Sequence, residues 1–410
     1  MAQRRVGLWL IGACGGVGST TALGLAALAR GLTDTTGLVT ALPRFAGLDL
    51  DPPASFVVGG HDIRRASLLS AVRELHERSN VFDARVIEAC AGDLESWGAN
   101  VRPGVAYRPN PAIAAFADRP DVKTFPTPRA AIEQIQADLK AFHSAAKLDQ
   151  LVVVNAASTE PPFGLGDEQR SLERLVPALD RPSAALPTSG IYALAALDAG
   201  FPYVNLTPST GATLPALDEL ARQRGVPHAG QDLKTGETLL KSVLAPLFAR
   251  RNLRVLSWVG HNILGNRDGL VLNDPDNKAS KLRSKDALLA ELLGYRPQTH
   301  VSIEYVESLD DWKTAWDHVH FEGFLGTKMT LQFTWQGCDS LLAAPLVLDL
   351  ARLTLLAARR GESGPLRHLA CFFKSPLDVA EHDFGKQFLM LEEYLTPLFP
   401  RKRKVAERNR

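Results

Sequence analysis

Val6-Gly7-Leu8-Trp9-Leu10-Ile11-Gly12-Ala13-Cys14-Gly15-Gly16-Val17-Gly18 is the stretch on which the fold turns, an apolar run that breaks into a glycine-rich corner. The run reads as a buried strand, and Thr20 to Arg30, rich in Ala and Leu, reads as the helix that follows. Strand, tight turn and helix in that order open a dinucleotide-binding unit. Glycine lets the backbone bend sharply and come close to a pyrophosphate, whose charge is favoured by the free N–H groups at the helix start. The spacing Gly12, Gly15, Gly18 is not a strict GxGxxG, because Cys14 and Val17 occupy the other two positions. Taken alone, the corner also fits a close-packed strand-to-helix turn with no ligand. An acidic residue usually follows about 20 residues later to hold the ribose hydroxyls. Asp34 is near that distance but lies in a Thr/Gly loop; Asp62, closing a second strand, is the better candidate, with a helix N-cap as its alternative role.

Outward from the corner, Ser55 to Val58 reads as the second strand, ending in Gly59-Gly60-His61-Asp62, and Ala66 to Glu77 has helical spacing. Leu151 to Val154 is a short apolar run of the kind found in a parallel sheet covered on both faces. Tyr192 to Leu197 suggests a helix, Tyr203 to Leu206 a strand, and Leu214 to Arg224 a helix closed by Gly225. This alternation predicts an α/β fold with a Rossmann-like, doubly wound parallel sheet. The pattern changes after residue 240. Val301 to Val306 and Thr330 to Trp335 read as strands with more alternation, separated by a charged stretch that carries Trp312 and Trp316, and together they suggest an inserted α+β region. Leu341 to Arg359 is helical again, and Tyr394 to Pro400 is expected to end the ordered part. No internal repeat or low-complexity linker separates the parts, so the domains are expected to interleave.

Composition narrows the class. The chain has 410 residues, 45% hydrophobic and 22% charged, enough to bury a large core. The net charge is +1, but residues 401–410 hold +5 of it, which leaves −4 for the rest. Such a body offers no broad basic field for nucleic acid. Cys14, Cys90, Cys338 and Cys371 are widely spaced, so neither a zinc ribbon nor a disulfide framework is suggested, and a reducing cytoplasm fits. No stretch reaches the roughly 18 to 20 uninterrupted apolar residues of a membrane span, and the N-terminal run is too short for a signal h-region. A soluble, cytoplasmic protein with no membrane partner is expected.

The central third is dense in short polar motifs: Gly230-Gln231-Asp232-Leu233-Lys234-Thr235-Gly236, Asn262-Ile263-Leu264-Gly265-Asn266-Arg267-Asp268-Gly269 and Lys281-Leu282-Arg283-Ser284-Lys285. Asp311-Trp312-Lys313, Cys338-Asp339-Ser340-Leu341-Leu342-Ala343-Ala344-Pro345 and Phe373-Lys374-Ser375-Pro376-Leu377 follow. Each alone could be turn chemistry or a solvated face. As an ordered set, with Phe56 to Ile63, Asn155-Ala156-Ala157-Ser158-Thr159-Glu160 and Val301 to Tyr305, they resemble the myo-inositol-1-phosphate synthase family across most of the chain.

The resemblance implies a discontinuous NAD-binding domain, residues 1–240 and 342–410, and a catalytic and oligomerisation domain, residues 241–341, that builds a homotetramer. It implies NAD as cofactor and glucose 6-phosphate as substrate, in an isomerase of inositol biosynthesis that serves phospholipid synthesis. The cofactor contacts would be Gly12, Gly15, Gly16, Val17, Gly18, Asp62, Asn155, Ser158, Thr159, Asp232, Asp268, Asp311 and Asp339. The catalytic set would be Lys281, Lys285, Lys313 and Lys374, with Asp232, Asn262, Asn266 and Asp268 at the substrate. Two departures stand out: Gly16-Val17 replaces the family's usual paired Asn, and Cys14 replaces a glycine, which leaves NAD against NADP open. The short tail points to a compact prokaryotic form.

Closing glucose 6-phosphate into a ring requires oxidation at C5, enolisation at C6, aldol attack on C1 and return of the hydride, with no net redox change. Negative charge develops on the C5 and C1 oxygens, and fixed ammonium groups are a direct way to stabilise it. Lys281 and Lys374 are assigned to the C5 oxygen, and Lys285 and Lys313 to the C1 oxygen or the phosphate; the phosphate itself is a second candidate base for the C6 proton. His318 and His320, two apart, invite a metal reading but have no evident third ligand, so no protein metal site is assigned. A divalent or monovalent cation held by the substrate phosphate stays open. The alternatives are a paralogous cyclase for another sugar phosphate, a net dehydrogenase, and a non-catalytic NAD-binding scaffold or sensor.

Overall fold

In the computed structural model of the protein, residues 4–109, 111–122, 124–271 and 288–399 are described, with the side chain of Asp268 left out. The first strand, β1 (Val6–Ile11), is buried along its whole length. It pairs in parallel with β2 (Phe56–Asp62) on one side and β4 (Gln150–Asn155) on the other. With β3 (Val101–Pro103), β5 (Tyr203–Asn205), β6 (Pro227–Ala229) and a two-residue strand Gly364–Pro365, they form a seven-stranded sheet of order β3-β2-β1-β4-β5-β6 plus that last strand, every pairing parallel. The chain leaves β1 towards β2 and returns to β4 on the opposite side, so the order reverses at β1/β4 and opens a crevice at the strands' carboxyl ends.

Successive β1 side chains divide between two cores. Leu8 and Leu10 join helices α1 (Gly16–Ala29), α2 (Leu68–Ser79) and α3 (Ala84–Gly98). Trp9 and Ile11 join α4 (Pro128–Ala145), α5 (Thr188–Asp198) and α6 (Pro215–Arg224). Helices on both faces explain the near-continuous apolar runs of β1 and β4. Gly225 ends α6 in the left-handed conformation expected of a C-terminal glycine, φ 68°.

The second strand runs through Gly59 and Gly60 and closes at Asp62, as its sequence suggests. A Cβ at Gly60 would lie 2.3 Å from the Leu10 carbonyl oxygen, and one at Gly59 3.0 Å from the Trp9 ring. The glycines permit β2 to close on β1.

Beyond α7 (Gly236–Arg250) a separate four-stranded sheet forms in the order β10-β9-β7-β8, from β7 (Arg254–Leu264), β8 (Gln298–Tyr305), β9 (Trp312–Glu322) and β10 (Lys328–Cys338). The charged, two-tryptophan stretch is thus a central strand. Asp317 and Val319 are buried while Trp316 and His318 face outward, so charge and burial alternate along it. Its inner face packs Trp258 and Val319 against Phe248 of α7. From Cys338 the chain passes directly into α8 (Asp339–Arg359), which returns to the first sheet and packs on α1. This 21-residue helix meets the length and hydropathy of a membrane span, yet Val347, Leu350 and Leu353 are fully buried in the core. The final helix, α9 (Phe384–Leu395), starts at an Asp383 N-cap.

Candidate active site

At the carboxyl end of β1 the end of β2 organises the glycine corner. The His61 carbonyl accepts the amides of Gly12 (2.9 Å) and Ala13 (3.2 Å), and Asp62 Oδ2 accepts that of Cys14 (2.7 Å). Gly15 N–H is taken by the Gly12 carbonyl at 3.0 Å. The amides of Gly16 and Val17, at the first turn of α1, have no acceptor among the described residues, as the start of a helix leaves them. They line a cavity of about 610 Å³ that begins at this corner. Gly12, with φ +82°, sits where a Cβ would meet the Ala157 backbone at 3.0 Å. Gly18 does not line the cavity. Its missing Cβ would lie 2.6 Å from the carbonyl oxygens of Gly12 and Ala13, so it serves close packing of α1 on the turn.

Asp62 lies at the cavity wall, 5% exposed, with Oδ1 accepting the Arg64 amide at 2.8 Å. Burial raises its pKa, opposed by those two amides. It is not a helix cap, since Ser67 caps α2. Asp34 is in an exposed loop, turned to the Thr36 amide. The Cys14 thiol is buried and pushed up to about 12, which makes it an inert packing group. Asn155, Ser158 and Thr159, after β4, also line the cavity, and Asn155 Nδ2 donates to Asn205 Oδ1 at 3.1 Å.

The segment 230–234 pairs with 372–377: Lys374 N–H donates to the Asp232 carbonyl at 2.6 Å and Lys234 N–H to the Phe372 carbonyl at 2.7 Å. This brings Lys374 Nζ to 2.8 Å from Asp232 Oδ1. Asp232 is 4% exposed, and its Oδ2 has no hydrogen-bond partner. A buried carboxylate oxygen with no protein partner, beside a lysine at a cavity wall, is placed to accept a hydrogen bond from a ligand.

Across the cavity, Asp311 collects four donors. Oδ1 accepts Asn266 Nδ2 (3.2 Å) and Ser340 Oγ (3.0 Å), while Oδ2 accepts Cys338 Sγ (2.7 Å) and the Ser340 amide (2.9 Å). Its carboxylate thus caps the start of α8, and burial raises its pKa. Ser340 in turn faces Gly16, where a Cβ would lie 2.4 Å from Ser340 Oγ. Lys313 and Asp339 line the cavity with Nζ and Oδ1 3.8 Å apart. Asn262 behaves otherwise: it is 1% exposed on the inner face of β7, donates to the Ser302 carbonyl at 3.5 Å and does not line the cavity. Lys281 and Lys285 lie outside the described residues, as does the Asp268 side chain.

Sequence reasoning missed several lining groups: Arg64, which donates to the Cys14 carbonyl at 2.8 Å; Ser340; Thr235, at the start of α7; and Glu160, which accepts the Ser189 amide at the start of α5. The starts of α1, α5, α7 and α8 therefore all meet the cavity; Glu160 and Asp311 hold those of α5 and α8, which leaves α1 and α7 to face an anion. Among the described residues no group of three His, Cys, Asp or Glu side chains could hold a metal ion. His318 and His320 lie half-buried on one face of β9, and His261 bonds to Ser302 Oγ at 2.8 Å. The residues fit a dinucleotide: two open amides, a close-approach glycine at φ +82° and a buried acid stand around one cavity.

A parallel sheet of this order, with its glycine corner at the switch point, defines a Rossmann-like dinucleotide-binding fold. A family model described as myo-inositol-1-phosphate synthase, an NAD-binding family, matches residues 6–396, and the chain belongs to that family. It is 32% identical over 425 aligned positions to inositol-3-phosphate synthase 1 of Bacteroides thetaiotaomicron, covering 96% of this chain and 95% of that protein. It is 31% identical to inositol-3-phosphate synthase 1 of Oryza sativa subsp. japonica, covering 75% of this chain and 61% of that longer protein. Among solved structures, inositol-3-phosphate synthase from Caenorhabditis elegans superposes with a TM-score of 0.86 at 26% identity, over 97% of this chain and 87% of that one.

Proposed function

We propose that the chain is an inositol-3-phosphate synthase that converts D-glucose 6-phosphate to 1D-myo-inositol 3-phosphate with NAD. The observation that carries this is the Lys374–Asp232 pair, 2.8 Å apart and with one carboxylate oxygen open, in the cavity that begins at the glycine corner. Bound NAD supplies a hydride acceptor and donor at C5 of the sugar. The Gly16 and Val17 amides would hold its pyrophosphate and Asp62 its adenosine ribose. Asn155, Ser158, Thr159, Asp311 and Asp339 would line the nicotinamide end.

Lys374, its ammonium held by Asp232, donates to the C5 oxygen and holds the charge that oxygen carries as the enolate forms. Lys313 serves the C1 oxygen or the phosphate, with Lys281 and Lys285 assigned by family likeness. The start of α7 at Thr235 opens on the same cavity and suits the substrate phosphate. Glu237 in that first turn does not repel it, because its carboxylate is bound to Lys241 at 2.5 Å and buried. Asn266 acts from its bond to Asp311, whereas Asn262 supports the β7–β8 pairing. A cation would be held by the substrate phosphate.

We divide the chain into 1–240 with 342–410 for the cofactor and 241–341 for catalysis and assembly. The open face of the second sheet, with Trp316 41% exposed and Phe324 and Leu325 88% and 86% exposed at the β9–β10 turn, suits contacts in a homotetramer. The test is product analysis by NMR after incubation with glucose 6-phosphate and catalytic NAD. An inositol phosphate without NADH accumulation is expected; steady NADH release, or no inositol phosphate, would overturn the reading.

A further inference from the structure

Lys234 stands two residues after Asp232 and has no part in the chemistry above. Its side chain is 2% exposed, and its Nζ donates to Gln387 Oε1 on α9, a neutral acceptor that is itself fully buried. The carboxylates of its own segment, of α7 and of the residues leading into α9 pair with other cations. Asp232 is held by Lys374 at 2.8 Å, Glu237 by Lys241 at 2.5 Å, Glu381 by Lys386 at 2.7 Å, Glu291 by His382 at 2.8 Å, and Asp383 by Arg250. Among the described residues Lys234 is thus a buried ammonium with no carboxylate of its own. Such a group costs several kcal/mol to bury, and a neutral side chain of the same length would be cheaper for the fold.

Its place is fixed by the short backbone pairing that also builds the site. Leu233 bridges Phe373 in antiparallel fashion, so Lys234 is locked beside the Asp232–Lys374 pair. Burial pulls Lys234 down to about 8, the positive charge of Lys374 acts in the same direction, and Cys371 opposes it. His382 also lies within electrostatic range, its own pKa lowered by burial. At neutral pH Lys234 still carries its proton.

We propose that Lys234 is a positioning residue for the Asp232–Lys374 pair, a standing positive charge behind it that keeps this part of the site positive after Asp232 has neutralised Lys374. Without Lys234 the pair is neutral overall and adds no net charge at an oxygen turning negative beside Lys374. With it, this part of the site adds one net positive charge. The inference rests on the proposed cyclase function, within which it assigns a residue that does not touch substrate.

The test compares wild type with Lys234→Gln, Lys234→Met and Lys234→Arg, each saturated with NAD, on glucose 6-phosphate from pH 6 to 10. The neutral variants are expected to lose about 10- to 100-fold in kcat at pH 7, with KM and NAD affinity nearly unchanged. Wild type is expected to lose rate as pH rises through about 8, where Lys234 gives up its proton. The Gln and Met variants lack that decline, and Lys234→Arg, charged throughout, keeps most of the rate and also lacks it. NMR of ¹³Cε-labelled lysines, with the resonance assigned by its absence in Lys234→Gln, reads the Lys234 midpoint independently of turnover. An active wild type alongside Lys234→Gln with unchanged kcat and the same alkaline decline overturns the proposal, as does a loss that only follows lower thermal stability and weaker NAD binding. A wild type that makes no inositol phosphate refutes the cyclase reading instead.

Discussion

Gly16→Ala probes the junction between the starts of α1 and α8. The added Cβ would lie 2.4 Å from Ser340 Oγ and 3.5 Å from Ser340 Cβ. The second distance is ordinary contact and the first is not, so the hydroxyl must rotate and give up its 3.0 Å bond to Asp311 Oδ1. A lost hydrogen bond to a buried carboxylate costs about 1.5–3 kcal/mol. Ser340→Ala alone forfeits the same bond without any crowding. In the Ser340→Ala background, Gly16→Ala should therefore cost less than about 0.5 kcal/mol, and the double variant should be no less stable than its worse parent. Urea unfolding of the four proteins measures the cycle. Calorimetric NAD titration follows the open Gly16 amide, and the single Gly16 variant should bind about tenfold more weakly for each 1.4 kcal/mol by which the corner is displaced. Additive costs in the double variant would refute the reasoning, because they would place the strain somewhere other than the Ser340 hydroxyl.

Asp232→Asn removes the counter-charge that orients Lys374, and kcat should fall about 100-fold with NAD affinity retained, measured by initial rates and calorimetry. Asp62→Ala leaves the Cys14 and Arg64 amides without their acceptor, and NAD binding should weaken by about 1–3 kcal/mol, read by the same titration. His368 is half-buried and stacked on Tyr394 with ring centroids 3.5 Å apart, and desolvation of the ring pulls it down to about 3 from 6.5. Below 6.5 the unfolded chain takes up a proton that the native ring refuses, so this stability is complete above 6.5 and is lost as pH falls towards 3. The loss at pH 5 should be about 2 kcal/mol, and His368→Leu should flatten urea stability between pH 7 and 5.

The elements legible in the sequence are those whose burial imposes a simple pattern. β1 and β4 lie between two helical layers, so they read as unbroken apolar runs. Of Trp312 to Glu322 only the part around His318 and His320 reads as a possible strand, because one face of the second sheet is open and its outward residues look like a solvated stretch. The end of β2 at Asp62 is legible, but the reason for Gly59 and Gly60 is not, because it is the approach of β2 to a neighbouring strand. In the site, Asp62, Asp232, Asp311, Asp339, Lys313 and Lys374 come from short motifs and meet at one cavity. Ser340 could not be found that way, since its significance is a contact with Gly16 more than 300 positions away. Asn262 errs in the opposite sense: it shares a motif with Asn266, but the alternation of β7 turns it inward.

Asp311 explains why the site needs both sheets. Its carboxylate holds Asn266 after β7, Cys338 at the end of β10 and Ser340 on α8, while its own amide donates to Ser79 Oγ at the end of α2. Two of these segments belong to the second sheet, one to a helix packed on the first, and α8 joins them. Gly16, whose amide faces the cavity, touches the same Ser340. Gly16, Ser340, Asp311 and Asn266 thus form one unbroken chain of contacts from the glycine corner to the other wall. Neither sheet can hold this geometry by itself, because the acceptor lies between β8 and β9 and its donors come from both sides. The direct passage of β10 into α8 at Cys338 leaves no linker to absorb movement, so the groups proposed here for cofactor and substrate share one buried carboxylate.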